Sequence, residues 1–139
     1  MPMVPITETA RAFFAACETG QGWEGCSAYC MPDAGFAAQS DVLAGVENLR
    51  QYCDWMRDLL TVLTDGRYEL KCFAADEERG CVCAYAVFTG THLANGPCPP
   101  TGRSTRSDYV YVMAFREGKI AHMTKIWNSG HALKELGWA

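Results

Sequence analysis

The sequence changes character at Asp65 and Gly66, and this change limits the folds that are open to the chain. Before this point, apolar residues recur at intervals of three and four, which is typical of amphipathic helices. After it, runs rich in β-branched and aromatic residues are separated by short turns, which is typical of antiparallel strands. Helices followed by strands within 139 residues predict one α+β domain over residues 1–139, with a curved sheet wrapped partly around the helices.

Three helices are predicted from the apolar periodicity. The first follows Thr7, a candidate N-cap, and stops at Gly20. A short second helix begins near Trp23 and cannot continue past Pro32. The third and longest covers residues 45–63, with apolar side chains on one face and charged side chains on the other.

The second half of the chain predicts four strands joined by turns. They cover residues 67–75, 81–90, 107–115 and 119–128. In the strand over residues 81–90, both the odd and the even positions are apolar, so we expect a central strand that is covered on both faces. Residues 33–41 are compatible with a further short strand, and residues 131–139 with a closing turn of helix.

Composition argues against two classes of partner. The formal net charge is −4, and only Arg103 and Arg106 lie close together, so the clustered cations that bind nucleic-acid phosphates are missing. No run of about 18 apolar residues is long enough to span a membrane. The first residues lack the basic start and apolar core of a signal peptide, so we predict a cytoplasmic protein.

The eight cysteines raise the alternatives of disulfides, a metal site or plain core packing. The chain has enough large apolar residues to build a core without disulfides, and no histidine stands at zinc-finger spacing. We expect the thiols of Cys81 and Cys83 to point to opposite faces of their strand. Most of the cysteines are therefore predicted to be buried, reduced and inert, and no metal is predicted.

A loop between two of the predicted strands carries a family resemblance. The motifs "GTH" at 90–92, "PPTGR" at 99–103 and "GKI" at 118–120 resemble those of the SnoaL-like polyketide cyclases, which share a superfamily with ketosteroid isomerase and nuclear transport factor 2. The resemblance implies a cone-shaped, strongly curved, mostly antiparallel sheet that encloses a deep, mostly apolar pocket. It also implies a homodimer.

The resemblance further implies acid/base chemistry on a small, largely apolar carbonyl compound, without metal or cofactor. A carboxylate removes a proton next to a carbonyl group, and the enolate isomerises or attacks a second carbonyl. The position that is acidic in the cyclases falls at or next to Asn128, whose amide cannot act as a general base. A non-catalytic ligand-binding or dimerisation module of the same fold is therefore the alternative.

Two residues are candidate catalytic groups, and each has a structural alternative. Asp108 lies among apolar strand residues, where burial would raise its pKa and suit proton abstraction. Equally, it could face solvent and pair with Arg106 or Lys125. His122 would share a face with Thr124 and Asn128 and could polarise a carbonyl oxygen, or it could be a satisfied inter-strand or interface histidine.

Further residues are candidate ligand contacts. His92 could bind a ligand, but the interpretation we favour is that it ties the Gly/Pro-rich loop down through backbone carbonyls. The resemblance to ketosteroid isomerases implies a base just before the long helix. In this sequence that region offers Gln39 or Asp41. The aromatic candidates could equally be plain core. The ligand-binding set is Asn128, His92, Tyr111, Trp127, Trp23 and Gln39.

Overall fold

The computed structural model of the protein describes residues 4–139 and contains four helices and one five-stranded sheet in that range. The helices are α1 (Ile6–Glu18), α2 (Gly22–Cys26), α3 (Leu49–Val62) and α4 (Ser129–Leu136). The strands are β1 (Cys30–Ala38), β2 (Arg67–Asp76), β3 (Cys81–Thr91), β4 (Ser104–Arg116) and β5 (Lys119–Trp127). The predicted α+β fold is confirmed.

The sheet is mixed, curved and unclosed, with the strand order β1-β5-β4-β3-β2. The last four strands of the chain pair antiparallel with their neighbours in sequence, whereas β1 joins β5 in parallel. β1 begins at Cys30, before the short strand predicted over residues 33–41, so α2 ends well before Pro32 and Pro32 lies within β1. An edge strand tolerates a proline because one of its sides has no ladder hydrogen bonds to lose.

Helix starts differ from the predicted ones. α1 follows Pro5 without a side-chain cap, so the prediction that Thr7 is the N-cap is wrong: Thr7 lies inside the first turn. Gly20 adopts a φ of 77° just after the helix, as a stop signal should. α3 begins only after Asn48, whose side chain accepts a hydrogen bond from the Gln51 N–H at 2.9 Å. That cap excludes the residues before it from the helix.

The helices cover one face of the sheet, and the other face is open. We call the covered face the inner face; it includes Tyr109, Tyr111 and Lys125. The outer face includes Asp108 and Ile126, which alternate with them along β4 and β5. β3, which we expected to be covered on both faces, leaves Cys81, Cys83 and Tyr85 accessible on its outer side, whereas Val87 on the same side is buried. The core lies between α1, α3 and the inner face.

The cysteines divide between core and surface. Cys81 and Cys83 both lie on the outer side of β3, and Val82 between them is fully buried. The prediction that their thiols face opposite ways is wrong, since side chains two residues apart in a strand share a face. All eight cysteines are free, and only four of them are buried, namely Cys17, Cys26, Cys30 and Cys53.

The Gly/Pro-rich loop between β3 and β4 ties the end of α3 to α4. His92 exchanges backbone hydrogen bonds with Gly102 and Arg103 at 3.0 and 2.9 Å, which closes the loop at its base. The Thr101 hydroxyl and the Arg103 guanidinium donate to carbonyl oxygens in the last turn of α4. This loop therefore holds the C-terminal helix over the end of the core. No helix within residues 4–139 has the length and apolar character needed to cross a membrane.

Candidate active site

A cluster of polar groups lies buried in the core, between the helices and the inner face. It combines one carboxylate, three tyrosine hydroxyls and one ammonium group. We call it the interior cluster, and its members are Glu18, Tyr52, Tyr109, Tyr111 and Lys125. None of these residues is more than 6% exposed. Buried polar groups cost free energy unless they are hydrogen-bonded, so the contacts of this cluster decide whether it can exist.

The interior cluster forms a continuous chain of hydrogen bonds. The Lys125 Nζ donates to the Tyr52 hydroxyl at 2.9 Å, and that hydroxyl contacts the Tyr111 hydroxyl. Tyr111 donates to Glu18 Oε2 at 2.8 Å, and Tyr109 donates to the other carboxylate oxygen. A path for protons therefore connects the carboxylate to the ammonium group through two tyrosine hydroxyls.

Burial shifts the pKa values of both charged members toward each other. Removal from water raises the pKa of Glu18, although the charge of Lys125 and the two tyrosine hydroxyls oppose the rise. The same desolvation lowers the pKa of Lys125 to about 8, opposed by the charge of Glu18. A carboxylate that is more basic than usual beside a lysine that is more acidic than usual is an arrangement suited to proton transfer.

Aromatic rings surround the ammonium group of Lys125. Its Nζ lies 4.3 Å from the centre of the Trp127 ring and 5.3 Å from that of Trp55. The negative faces of such rings attract a cation and partly replace the water that burial removes. The site can therefore hold a positive charge next to apolar surface.

Two small cavities adjoin the interior cluster. The first, of about 20 Å³, is lined by Glu18, Tyr109, Lys125 and Trp127 among others. It has room for about one water molecule. The second, of about 40 Å³, is apolar and lies under α4, and it shares Trp127 with the first. A wider, open depression of about 380 Å³, lined by Thr64, Gly66 and Tyr68 among others, also reaches Glu18. Neither of the two small cavities is large enough for the ligand that the resemblance implies.

The structure places the two predicted catalytic residues away from the interior cluster. Asp108 lies exposed on the outer face, where its carboxylate accepts a hydrogen bond from the Tyr85 hydroxyl at 2.8 Å. His122 also lies on the outer face and packs closely over Gly35 of β1. A Cβ atom at position 35 would lie only 2.6 Å from the Nδ1 of His122. The prediction that the His122 face lines the interior is wrong, because the alternate residues of β5, including Lys125, are the buried ones.

Asn128 and His92 both make structural contacts. The Asn128 side chain caps α4 by accepting the His131 N–H at 3.2 Å. His92 is fully buried, and its Nδ1 accepts from Trp138 Nε1 at 2.9 Å and from the Thr101 N–H at 3.2 Å. The ring thus holds the loop against the end of the chain, but through two N–H donors and not through the backbone carbonyls that we expected, and its Nε2 has no hydrogen-bond partner among residues 4–139.

Of the remaining predicted ligand contacts, two lie at the interior cluster. Tyr111 is a member, and Trp127 lines both small cavities. Trp23 packs on the helical side of the core, where its backbone N–H donates to Asp54 at 2.9 Å. Gln39 lies on the rim of an open depression of the outer face. The predicted set is therefore divided between the two faces of the sheet.

Sequence reasoning missed Glu18 altogether and placed Lys125 on the wrong face. A signal for both exists in the patterns already described. Glu18 follows Phe14 by four positions, so a carboxylate lies on the apolar face of α1. Lys125 alternates with Met123 and Trp127, so a cation lies on the inner face of β5. A charged residue on an otherwise apolar face was the feature to look for.

Comparisons with known proteins agree with this fold. The SnoaL-like domain model matches residues 10–123. AclR, a proposed hydroxylase from Streptomyces galilaeus, is 21% identical, with 99% of this chain and 88% of that chain covered at a TM-score of 0.77. IdmH, a proposed polyketide cyclase from Streptomyces antibioticus, is 18% identical over 96% of this chain and 99% of its own, with a TM-score of 0.79.

A protein with a ketosteroid isomerase-like fold from Catenulispora acidiphila is 13% identical, covered over 95% of this chain and 94% of that chain, with a TM-score of 0.70. No curated protein matches the sequence. At these identities the structural likeness concerns the fold, which is of the cyclase and isomerase type. Since the family model matches most of its length, the chain belongs to the SnoaL-like domain family.

Proposed function

We propose that the interior cluster binds a small, largely apolar carbonyl compound and moves a proton on it, without metal or cofactor. The observation that carries this proposal is that Glu18 and Lys125 line the same cavity although both are buried. A buried carboxylate and ammonium pair seldom stabilises a fold relative to apolar residues of similar size, so its presence favours a chemical role.

In the proposed reaction, the Glu18 carboxylate takes the proton next to the carbonyl group. Tyr109 and Tyr111 hold that carboxylate by donating to its two oxygens. The Lys125 ammonium donates one hydrogen to Tyr52 and has two more for the oxygen of the developing enolate. In isomerisation Glu18 returns the proton to another carbon. In cyclisation the enolate carbon forms a bond to a second carbonyl carbon, the π bond of that carbonyl breaks, and the resulting alkoxide oxygen takes up the proton from Glu18.

Substrate entry requires the aromatic wall to move. The cavities of about 20 and 40 Å³ share Leu59, Phe88, Ser107 and Trp127 on their walls. Displacement of the Trp127 ring would join them into one apolar pocket beside Lys125. α4 and the Gly/Pro-rich loop close that end of the core, so we assign them the role of the entrance.

The test is deuterium exchange into a small cyclic 1,3-diketone, followed by NMR in D2O. We expect the wild-type chain to accelerate exchange and Glu18→Gln to lose about 10²-fold or more of the acceleration. The matched control is Glu8→Gln, which removes an exposed carboxylate from the same helix and should leave the rate unchanged. Equal rates for the wild type and Glu18→Gln would contradict the proposal.

The second candidate function is a dimerisation module, and the outer face supports it. Ile126 is 59% exposed and Tyr85 is 36% exposed, and an open depression of about 810 Å³ extends past Val110. A second copy of the chain would cover this apolar surface. Sedimentation of the wild type and of Ile126→Glu tests it: a dimer that the substitution converts to monomer supports this assembly, and a monomeric wild type refutes it.

The compartment we propose is the cytoplasm. Eight free thiols, among them the exposed Cys72 and Cys83, persist in a reducing environment. Labelling of thiols in freshly lysed cells should find all of them reduced.

A further inference from the structure

Three cysteines from three different helices meet in the core. Cys17 comes from α1, Cys26 from α2 and Cys53 from α3. Each is fully buried, all are free, and their sulfur atoms all lie within 4.8 Å of one another. Among residues 4–139, this is the one group of three or more ligand-type side chains close enough to share a metal ion.

The spacing of these sulfurs suits one ion at their centre. With metal–sulfur bonds of about 2.3 Å, three sulfurs around an ion lie about 4 Å apart, which is within the observed range. Disulfide pairing leaves one of three thiols unused, and it needs a sulfur–sulfur distance of about 2 Å. The three sulfurs therefore have the arrangement of a binding site before any ion is present.

The surrounding groups select the kind of ion. The neighbouring Asp54 carboxylate is directed elsewhere, since it accepts from the Trp23 N–H at 2.9 Å. The fourth buried cysteine, Cys30, donates to the Cys26 carbonyl oxygen at 3.5 Å and lies outside the group. Three sulfur donors without a nitrogen or oxygen donor favour a soft cation. Zn²⁺ is disfavoured because its structural sites use four ligands.

We propose that Cys17, Cys26 and Cys53 bind one soft, thiophilic monovalent cation, with Cu(I) as the fitting ion. On binding, three S–H bonds give way to three S–Cu bonds, and three protons pass to the solvent. Copper enters and stays as Cu(I), so no oxidant or reductant takes part. The bound ion joins α1, α2 and α3. Two of its ligands are neighbours of the interior cluster in the chain, because Cys17 precedes Glu18 and Cys53 follows Tyr52.

The test uses the full chain, reduced and metal-free, under anaerobic conditions. Cu(I) is titrated in competition with a chromophoric Cu(I) chelator, and X-ray absorption reports the donor atoms. Because surface thiols also bind copper, the background variant replaces the accessible cysteines by serine, namely Cys72, Cys81, Cys83 and Cys98. We expect this variant to retain one Cu(I) per chain with sulfur-only coordination.

Two further variants in that background locate the ion. Cys53→Ala should lose the bound Cu(I), whereas Cys30→Ala, the matched buried control, should keep it. Cu(I) should raise the Tm of the background variant and of Cys30→Ala, but not that of Cys53→Ala. If Cys53→Ala fails to fold, Cys26→Ser replaces it.

Three results would overturn the proposal. One is Cu(I) binding that disappears with the four accessible cysteines. Another is unchanged binding after the loss of Cys53 or Cys26. The third is a reduced wild-type chain that binds no Cu(I) against the chelator.

Discussion

Two hydrogen bonds between a tyrosine and a carboxylate lie on opposite faces of the sheet, and both measure 2.8 Å. On the outer face Tyr85 donates to Asp108, and on the inner face Tyr111 donates to Glu18. Tyr85 is 36% exposed, whereas Tyr111 is fully buried. Water can replace the outer bond but not the inner one, so the same chemical pair has different consequences for stability and reactivity.

The comparison shows that side-chain type does not identify the site; surroundings do. Asp108 and His122 have suitable chemistry for a catalytic pair but lie on the open face. Glu18 and Lys125 have the same kind of chemistry inside the core, where desolvation brings their pKa values closer together. The following substitutions test this difference, beginning with the largest expected effect.

Removal of the buried ammonium group should have the largest effect on stability. Lys125→Met leaves Glu18 buried without its cation, and we expect a loss of about 3 kcal/mol in the free energy of unfolding at neutral pH. Lys119→Met, an exposed change on the same strand, should stay within about 0.5 kcal/mol. Urea denaturation measures both. Adding Glu18→Gln to Lys125→Met should recover part of the loss, and a single-variant loss below about 1 kcal/mol would contradict a charged pair.

A matched pair of Tyr→Phe variants compares the two hydrogen bonds directly. Tyr111→Phe removes a donor from the Glu18 carboxylate and breaks the link to Tyr52, so we expect a loss of about 2 kcal/mol. Tyr85→Phe should cost less than about 0.5 kcal/mol, since water takes over at Asp108. Thermal and urea unfolding of both variants provide the values. Equal losses would mean that burial does not separate the two faces.

The pH dependence of stability should reveal Lys125. The pKa of Lys125 is about 8 in the folded chain and near the ordinary lysine value of 10.5 in the unfolded chain. Between these values the unfolded chain binds more protons, so this group makes stability rise with pH, by at most about 1.4 kcal/mol per pH unit. The stability gained from deprotonation of Lys125 is fully present above about pH 10.5 and is lost as the pH falls from there to about 8. Subtracting the curve of Lys125→Met from that of the wild type isolates the rise, and Lys119→Met should leave it intact.

The smallest effect is expected from Asp108→Asn. This change keeps an acceptor for Tyr85 on an exposed surface, so the free energy of unfolding should change by less than about 0.5 kcal/mol. Diketone exchange should also remain at the wild-type rate. A large loss of exchange would return the catalytic role to the outer face and contradict the assignment of Glu18.

Much of the fold was predictable because it depends on local patterns. The apolar periodicity predicts α3, and the alternation of residue types predicts β2 to β5, each to within a few residues of the bounds in the structure. The start of α3 and the cap at Asn128 depend on single side-chain hydrogen bonds, which periodicity does not report. The site was only partly predictable: Tyr111 and Trp127 were among the candidates, whereas Glu18 was not.

The face of β5 could not be fixed from sequence. Moving its register by one residue exchanges His122 for Lys125 on the inner face, and both faces of this strand contain polar and apolar residues. The cysteine group was hidden for a related reason. Its members are far apart in the chain and show no metal-binding spacing, because three separate helices bring them together.

The sequence by itself determined the fold class, the succession of helices and strands and, through its loop motifs, the family. These follow from the period of apolar residues and from the conformations that glycine and proline impose, which act over a few neighbouring residues. Only the tertiary structure decided which polar groups are buried together. Desolvation and hydrogen-bond partnership depend on what packs against a side chain, so Glu18 acquires its neighbours Tyr109, Tyr111 and Lys125 only when α1 lies against β4 and β5.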